Sequence, residues 1–179
     1  QNPIYNAENY YLKKWGAAYN GPANQVDVAN AIAIDENGYI YVTGSTKTNS
    51  NGTDYLTIKY NSAGSQQWAS TYNGSGNSDD DATSIAVNTD GSIYVTGSST
   101  SSGTGKDYAT LKYDSGGNLI WASRYNGSAN GIDSATTIAV NGSDVFVTGY
   151  IVQTSTGKDF ATISYAASNG YKQWIQTYG

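Results

Sequence analysis

The sequence contains no cysteine, histidine or methionine, and these absences exclude several classes of protein. Without cysteine or histidine the chain has no thiolate or imidazole for a zinc finger, a thiol nucleophile or a Ser-His-Asp triad. Disulfide bonds cannot stabilise the fold. Its chemistry is therefore limited to carboxylate, hydroxyl, amide, amine and aromatic side chains.

Charged residues and long apolar runs are also scarce. The chain has nine Lys and Arg against fourteen Asp and Glu, a net charge of −5, and its basic residues form no patch. This acidic balance argues against nucleic acid or an anionic membrane as a partner. No apolar run approaches the roughly 20 residues that span a bilayer, so no membrane insertion is expected.

Tyrosine and glycine are abundant instead, with 17 and 21 residues. Together with many Ser, Thr and Asn, this composition is typical of exported or surface β-proteins. We therefore expect a secreted or cell-surface protein with a processed N-terminus, in which Gln1 follows a removed export signal.

Four tryptophans divide the chain into a repeat of 53 residues, and a tyrosine follows each of them by four residues. The tryptophans are Trp15, Trp68, Trp121 and Trp174, and the tyrosines are Tyr19, Tyr72, Tyr125 and Tyr178. The chain thus consists of one sequence unit repeated about three times. We predict a lead-in segment at 1–9, an extra strand at 10–20, and blades at 27–73, 80–126 and 133–179.

Each unit contains four short β-type runs, A to D, separated by Gly, Asn, Asp and Ser. Strand B holds Val-Thr-Gly, strand C begins with Asp and strand D carries the tryptophan. No run keeps a 3.6-residue apolar period, so almost no helix is expected. The predicted A strands are 29–34, 82–87 and 135–140, the B strands 39–45, 92–98 and 145–150, and the C strands 54–60, 107–113 and 159–165.

Four antiparallel strands in a repeat of about 50 residues are typical of a β-propeller blade. The motifs Ile-Tyr-Val-Thr-Gly, Gly-Lys-Asp-Tyr-Ala-Thr and Trp-x-x-x-Tyr-Asn-Gly resemble the SBBP family of bacterial β-propeller repeats over residues 10–179. The predicted fold class is all-β, with three full propeller-type blades and one extra N-terminal strand in a partial or open propeller. The resemblance implies this fold and an exported or surface-attached location, and it implies no particular activity.

The predicted strands do not close a ring. The last unit already contains its own D strand, so the extra strand at 10–20 has no A, B and C strands with which to form a blade. Flanks of Ile, Val, Tyr and Trp are left without neighbours. Either the parent chain continues with further repeats, the last of which pairs A, B and C with the first D strand, or copies of the chain associate.

Two sets of aspartates recur at fixed positions in the repeat. One set begins strand C and consists of Asp54, Asp107 and Asp159. The other lies in the D–A connections and consists of Asp27, Asp80 and Asp133. A residue that recurs in every unit usually serves the unit, so we interpret both sets as acceptors that hold turns. The alternative is a ring of carboxylates for a metal or a sugar. The tryptophans are interpreted in the same way as packing residues, with sugar stacking as the alternative.

One acidic run, Asp79, Asp80 and Asp81, occurs in a single unit. Adjacent carboxylates repel each other, and a bound cation would relieve that repulsion. The surrounding loop lacks the spacing of an EF-hand, so a solvated loop is the preferred interpretation and calcium the alternative. No other cofactor is expected.

The B–C loops differ most between units, and variable loops on a repeated scaffold are where contacts diversify. The candidate interaction residues in or beside them are Tyr150, Ile151, Val152, Lys47, Lys106 and Lys158. Packing on a neighbouring unit is the alternative role of the apolar group at 150–152.

The sequence as a whole favours a non-enzymatic exported repeat scaffold that contacts further repeats, copies of itself, surface proteins or glycans. One alternative is a polysaccharide-acting enzyme that uses carboxylates and tyrosines, although an active site normally breaks the symmetry of a repeat. The other alternative is the structural subunit of an extracellular fibre.

Overall fold

The computed structural model describes residues 15–49 and 52–179, and within them every regular element is a β-strand. Consecutive strands form three separate four-stranded antiparallel sheets, which we call blades 1, 2 and 3. Blade 1 contains β1 (Asp27–Ile34), β2 (Ile40–Lys47), β3 (Thr53–Tyr60) and β4 (Gln66–Tyr72). Blade 2 contains β5 (Asp80–Val87), β6 (Ile93–Ser101), β7 (Gly105–Tyr113) and β8 (Leu119–Tyr125). Blade 3 contains β9 (Ser134–Val140), β10 (Asp144–Gln153), β11 (Gly157–Ala166) and β12 (Lys172–Tyr178).

These sheets confirm the prediction of an all-β fold with four-stranded blades. The sheets are open, and their strands occur in chain order as A, B, C and D. Across the described ranges no helix is long and apolar enough to cross a membrane.

The hairpin turns place glycine where the backbone needs a left-handed residue. In blade 2, Gly91 in the A–B turn has a φ of 80° and Gly117 in the C–D turn has a φ of 84°. The Asp114 carboxylate accepts hydrogen bonds from the amides of Gly116 and Asn118, at 2.9 Å each, and so fixes the C–D turn. The Asp-Gly pair of the A–B turn and the Gly-Gly pair of the C–D turn therefore specify these hairpins.

The hydrophobic core lies between the blades rather than within one sheet. One buried cluster joins Tyr55 of blade 1 to Leu111 of blade 2, and a second joins Tyr108 of blade 2 to Ile163 of blade 3. Strand A of each following blade, β5 or β9, lies against three strands of the blade before it. Each sheet is thus apolar on both faces and depends on a neighbour to cover each face.

The extra strand predicted at 10–20 is wrong for the part that the structure describes. Residues 15–20 form no strand, whereas residues 10–14 and the lead-in at 1–9 lie outside the described residues. In each blade the tryptophan-bearing strand pairs with strand C of its own sheet. No described strand C lies beside residues 15–20, so they have no ladder to join.

The tryptophans of blades 1 and 2 each pack on a turn of the next blade. The Trp68 ring lies over Gly117, where an added Cβ would be 2.7 Å from Trp68 Cδ2, and its indole Nε1 donates to the Ser115 carbonyl at 3.0 Å. The Trp121 ring lies over Gly170 in the same way. The turn therefore requires glycine for two reasons. The backbone has a positive φ there, and a side chain would overlap the tryptophan ring.

We expect Gly117→Ala to destabilise the fold more than Gly142→Ala does. Both residues have a φ of 84°, so both variants carry a backbone strain of about 1 kcal/mol. Only Gly117 lies under a tryptophan ring, whereas a Cβ on Gly142 would meet nothing within 4 Å. Overpacking should add about 1–3 kcal/mol. Urea denaturation of the two variants checks the difference, and equal losses would contradict the packing role of Trp68.

Candidate functional site

The junctions between blades repeat one set of contacts, and the first of these is an aromatic ring from strand C. The Tyr55 side chain is fully buried, and its hydroxyl donates to the Ala109 carbonyl of blade 2 at 3.3 Å. It lies against Gly97, where an added Cβ would be 2.9 Å from the Tyr55 oxygen. Tyr108 is seated against Gly149 of blade 3 with a corresponding distance of 2.7 Å.

A bulge in strand A supplies a second junction contact. Asn30 and Thr83 stand at the bulges of β1 and β5, where the register shifts. The Asn30 side-chain Nδ2 donates to the Ala82 carbonyl, and the Thr83 hydroxyl donates to the Ala135 carbonyl, both at 2.8 Å. Each bulge thus turns a polar side chain onto the inner strand of the next blade.

The outer face of blade 3 presents the same aromatic positions without a covering blade. Phe160, which matches Tyr55 and Tyr108, is 58% exposed, whereas both tyrosines are 0% exposed. Trp174 is 41% exposed and Tyr178 is 84% exposed. We call Phe160, Trp174 and Tyr178 the presenting face of blade 3.

The outer face of blade 1 is the matching surface at the other end of the array. Ile32 is 65% exposed there, whereas its equivalents Ile85 and Ile138 are 8% and 6% exposed at the internal junctions. A groove of about 510 Å³ opens beside Gly44, the counterpart of Gly97, and Leu56 forms part of its wall. We call this surface the receiving groove of blade 1.

The aspartates of the D–A connections tie each connection to strand B of the same blade. The Asp133 carboxylate accepts hydrogen bonds from the Gly127 amide at 2.5 Å and from the Val152 amide at 2.6 Å. Asp80 accepts from the Gly74 and Thr100 amides at 2.6 and 2.8 Å. Asp27 accepts a hydrogen bond from the Gly21 amide at Oδ2 and one from the Thr46 hydroxyl at Oδ1. These contacts support the interpretation of this set as turn-holding residues.

Burial changes the acid–base behaviour of these groups. Desolvation raises the pKa of the Asp80 and Asp133 carboxyls, although two amide donors oppose the shift in each case. Desolvation also raises the pKa of the Tyr55 and Tyr108 phenols, and nearby aspartates add to it. Ionisation of these buried groups is therefore unfavourable.

The aspartates of strand C accept from hydroxyls of the B–C loops, where turn amides were expected. The partners are Thr48 for Asp54, Thr104 for Asp107 and Thr156 for Asp159, with oxygen–oxygen distances of 2.5, 2.6 and 2.5 Å. In blade 2 the Arg124 guanidinium also lies 3.3 Å from the Asp107 carboxylate. These carboxylates lie near the start of strand C and hold the B–C loops that precede them.

The acidic run of blade 2 is divided among separate partners. Asp79 accepts from the Thr53 amide at 3.2 Å, the Asp80 carboxylate is bound as above, and Asp81 pairs with the Lys106 ammonium at 2.7 Å. In the part of the chain that the structure describes, no three His, Cys, Asp or Glu residues are grouped to hold a metal ion. The calcium alternative therefore gains no geometric support.

The apolar group at 150–152 belongs to strand β10 and lies only at the edge of a loop. Ile151 is fully buried in the core of blades 2 and 3, and Val152 packs on Gly131. Its predicted role as a partner contact is thus incorrect for Ile151, because the strand continues past the predicted end at residue 150. Tyr150 is half-buried, and the ammonium of the exposed Lys158 lies 3.3 Å from the centre of its ring.

The remaining lysines of the B–C loops lie in different settings. The Lys47 backbone amide donates to the Val26 carbonyl at 3.2 Å, at the end of β2. The Lys106 ammonium is held by Asp81. The predicted interaction lysines are not brought together into one surface, and contact with a partner stays a prediction for Lys47, Lys106 and Lys158.

Sequence reasoning did not single out the bulge residues or the receiving groove. The signal for the bulge is a break in the alternation of strand A, since Asn30 and Thr83 interrupt a pattern of small and branched residues. The groove has no local signal, because it is formed by residues from 17 to 60 on several segments.

Comparison with known protein families gives a match to a repeat family. Residues 17–54 match the family model described as Beta-propeller repeat, SBBP. The matched segment covers β1 and β2 and reaches the start of β3, and the 53-residue repeat carries its motifs into the later blades. No curated protein matches the chain.

We expect Asp133→Asn to lower the free energy of unfolding by about 1–3 kcal/mol at neutral pH, because an amide offers one acceptor where two buried N–H groups need acceptors. The raised pKa means that the folded protein binds the proton more tightly than the unfolded chain. The stability that this tighter proton binding contributes is fully present below pH 3.8, the ordinary pKa of the carboxyl. It is lost as the pH rises through the raised pKa of the folded protein. The variant should lose part of this dependence.

Urea titrations of the wild type and of Asp133→Asn between acid and neutral pH test both statements. Asp90→Asn is the matched control, because it makes the same change in an exposed turn where unit 1 already has Asn37. A control that is as unstable as Asp133→Asn would refute the special role of the buried carboxylate.

Proposed function

Because residues 17–54 carry a β-propeller repeat of the SBBP family, we propose that the chain is a non-enzymatic, exported repeat scaffold that binds further blades through its two open faces. The observation that carries this proposal is the contrast in exposure along the array. The strand C tyrosines are buried at both internal junctions and the aromatics of strand D are half-buried there, whereas their counterparts on the presenting face of blade 3 are exposed.

The two open faces are complementary in kind, which supports association with blades of the same type. At the internal junctions a strand C aromatic meets a strand B glycine, as Tyr55 meets Gly97. Phe160 supplies such an aromatic at one end of the array, and Gly44 lines a groove at the other. Contacts of this head-to-tail kind build rings when they close and filaments when they do not. A fibre subunit is therefore a special case of this function.

The hydrogen bonds of the carboxylates support a scaffold rather than a polysaccharide-acting enzyme. Asp80 and Asp133 hold backbone amides, and Asp107 and Asp159 hold loop hydroxyls. Trp68 and Trp121 lie across junctions, over Gly117 and Gly170, so their rings are used for packing rather than for sugar stacking. The exported location rests on the polar, tyrosine-rich composition.

We expect the chain to self-associate with rising concentration through its open faces, and Phe160→Ser to weaken that association about tenfold or more, as anchoring aromatic residues typically do. Phe160→Tyr should keep or strengthen the association, because Tyr55 and Tyr108 add a hydroxyl at this position. Phe160 is 58% exposed, so its replacement should leave the fold stable. Light scattering across a concentration range gives the measurement.

Ile132→Asp is the matched control, because it also removes an exposed apolar side chain and unit 2 has Asp79 at the equivalent position. It lies away from the presenting face, so association should persist. A wild-type chain that stays monomeric at every concentration, or a control that weakens association as much as Phe160→Ser does, would refute the proposed binding role.

A further inference from the structure

Trp15 and Tyr19 lie on blade 1 as the D strand of one blade lies on the next. An added Cβ on Gly64 would be 2.6 Å from Trp15 Cδ2, against 2.7 Å for Gly117 and Trp68. The Trp15 and Tyr60 ring centres are 6.3 Å apart with an interplanar angle of 34°. The corresponding rings of Trp68 and the strand C tyrosine of blade 2 are 6.5 Å apart at 35°.

Tyr19 extends this likeness along the segment. It packs against the buried cluster of Leu56, Ile58 and Tyr60, as Tyr72 packs against the cluster that reaches into blade 2. Residues 15–19 therefore reproduce the contacts of a D strand with its following blade.

The same segment lacks the contacts of a D strand with its own blade. In blade 1 the D strand β4 pairs with β3 through Tyr55 with Tyr72 and Ile58 with Ala69. Residues 15–20 join no ladder within the described ranges. What is lacking around Trp15 is a strand C, together with the strands B and A that would follow it.

The receiving groove lies where those strands would be. Ala17 and Tyr19 form one side of the groove, and Ala29 and Gly44 form another. At the internal junctions the glycine equivalent to Gly44 receives a strand C tyrosine, and the alanine equivalent to Ala29 accepts a hydrogen bond from a strand A bulge. The groove thus combines the sites for strand C and strand A of a preceding blade.

A complete blade can occupy this end of the array only if residues 15–19 are displaced. The tryptophan of a complete blade needs the turn glycine of the next blade, as Trp68 needs Gly117. On blade 1 that place is Gly64, and Trp15 already covers it. Blade 3 of a second copy, which brings its own Trp174 on β12, would have to displace residues 15–19.

We propose that the receiving groove of blade 1 binds a three-stranded A–B–C unit of the same repeat type, for which the segment that holds Trp15 and Tyr19 is the fourth strand. The inference rests on the proposed function and names the partner of its blade 1 face. The unit brings an aromatic residue to Gly44 and a bulge side chain to the Ala29 carbonyl. Its other side offers the glycine and the turn that Phe160 and Trp174 need.

A series of extended chains tests this partner. Each carries, after Gly179, between none and four copies of residues 74–126, followed by a copy of residues 74–113 as the A–B–C unit. The series spans propellers of about four to eight blades, the usual range. We expect one member to be a discrete monomer in light scattering, with cleavage by trypsin after Lys14 slowed about tenfold or more, because a segment that pairs with a strand C and packs on the next blade opens rarely.

A matched series ends in a complete unit, residues 74–126, whose own tryptophan competes with Trp15. Its members should not slow cleavage after Lys14. In the closed A–B–C member, Trp15→Ser should restore cleavage and oligomerisation. If no A–B–C member becomes a Trp15-dependent monomer, or if the complete series protects Lys14 equally, the inference is wrong. The proposed function is judged separately, because the effect of Phe160→Ser on the unextended chain does not involve the added unit.

Discussion

The structure depends on one contact, the seating of an aromatic ring of one blade against a glycine of the next. Tyr55 reaches Gly97, Tyr108 reaches Gly149, and the tryptophan of strand D covers the turn glycine. A Cβ at these glycines would overlap the ring, so close approach of the blades requires them. Because the contact runs from each blade to its successor, it gives the array a direction and two unlike ends.

The direction of this contact explains why the ends of the array matter. Each sheet is apolar on both faces, and an internal blade has both faces covered. Blade 1 and blade 3 each keep one face open, and these carry the isoleucines and aromatics that are buried elsewhere. An open apolar sheet face of this kind is the surface at which we propose that further β-structure binds. A scaffold that joins blades follows from the packing without any catalytic group.

The sequence predicted the repeating elements because they are local, and it missed what depends on neighbours. Turn glycines and the 53-residue spacing of tryptophan specify four strands in each unit. The partner of each tryptophan lies about one unit further along the chain, as Ser115 does for Trp68, and no local pattern reveals such a contact. Ile151 was assigned to a loop because the length of β10 is set by its pairing with Asp159. Residues 15–20 have a strand-like sequence, but no described strand lies beside them to pair with.

Hydrogen exchange in the monomeric chain tests the central claim that a following blade protects each D strand. The strands β8 and β12 each pair with strand C of their own blade, but only β8 is covered by another blade. The account predicts that amides of β12 exchange about tenfold or more faster than those of β8, because an uncovered strand opens more readily. Equal protection of β12 and β8 would contradict it, since blade 3 would then need no neighbour.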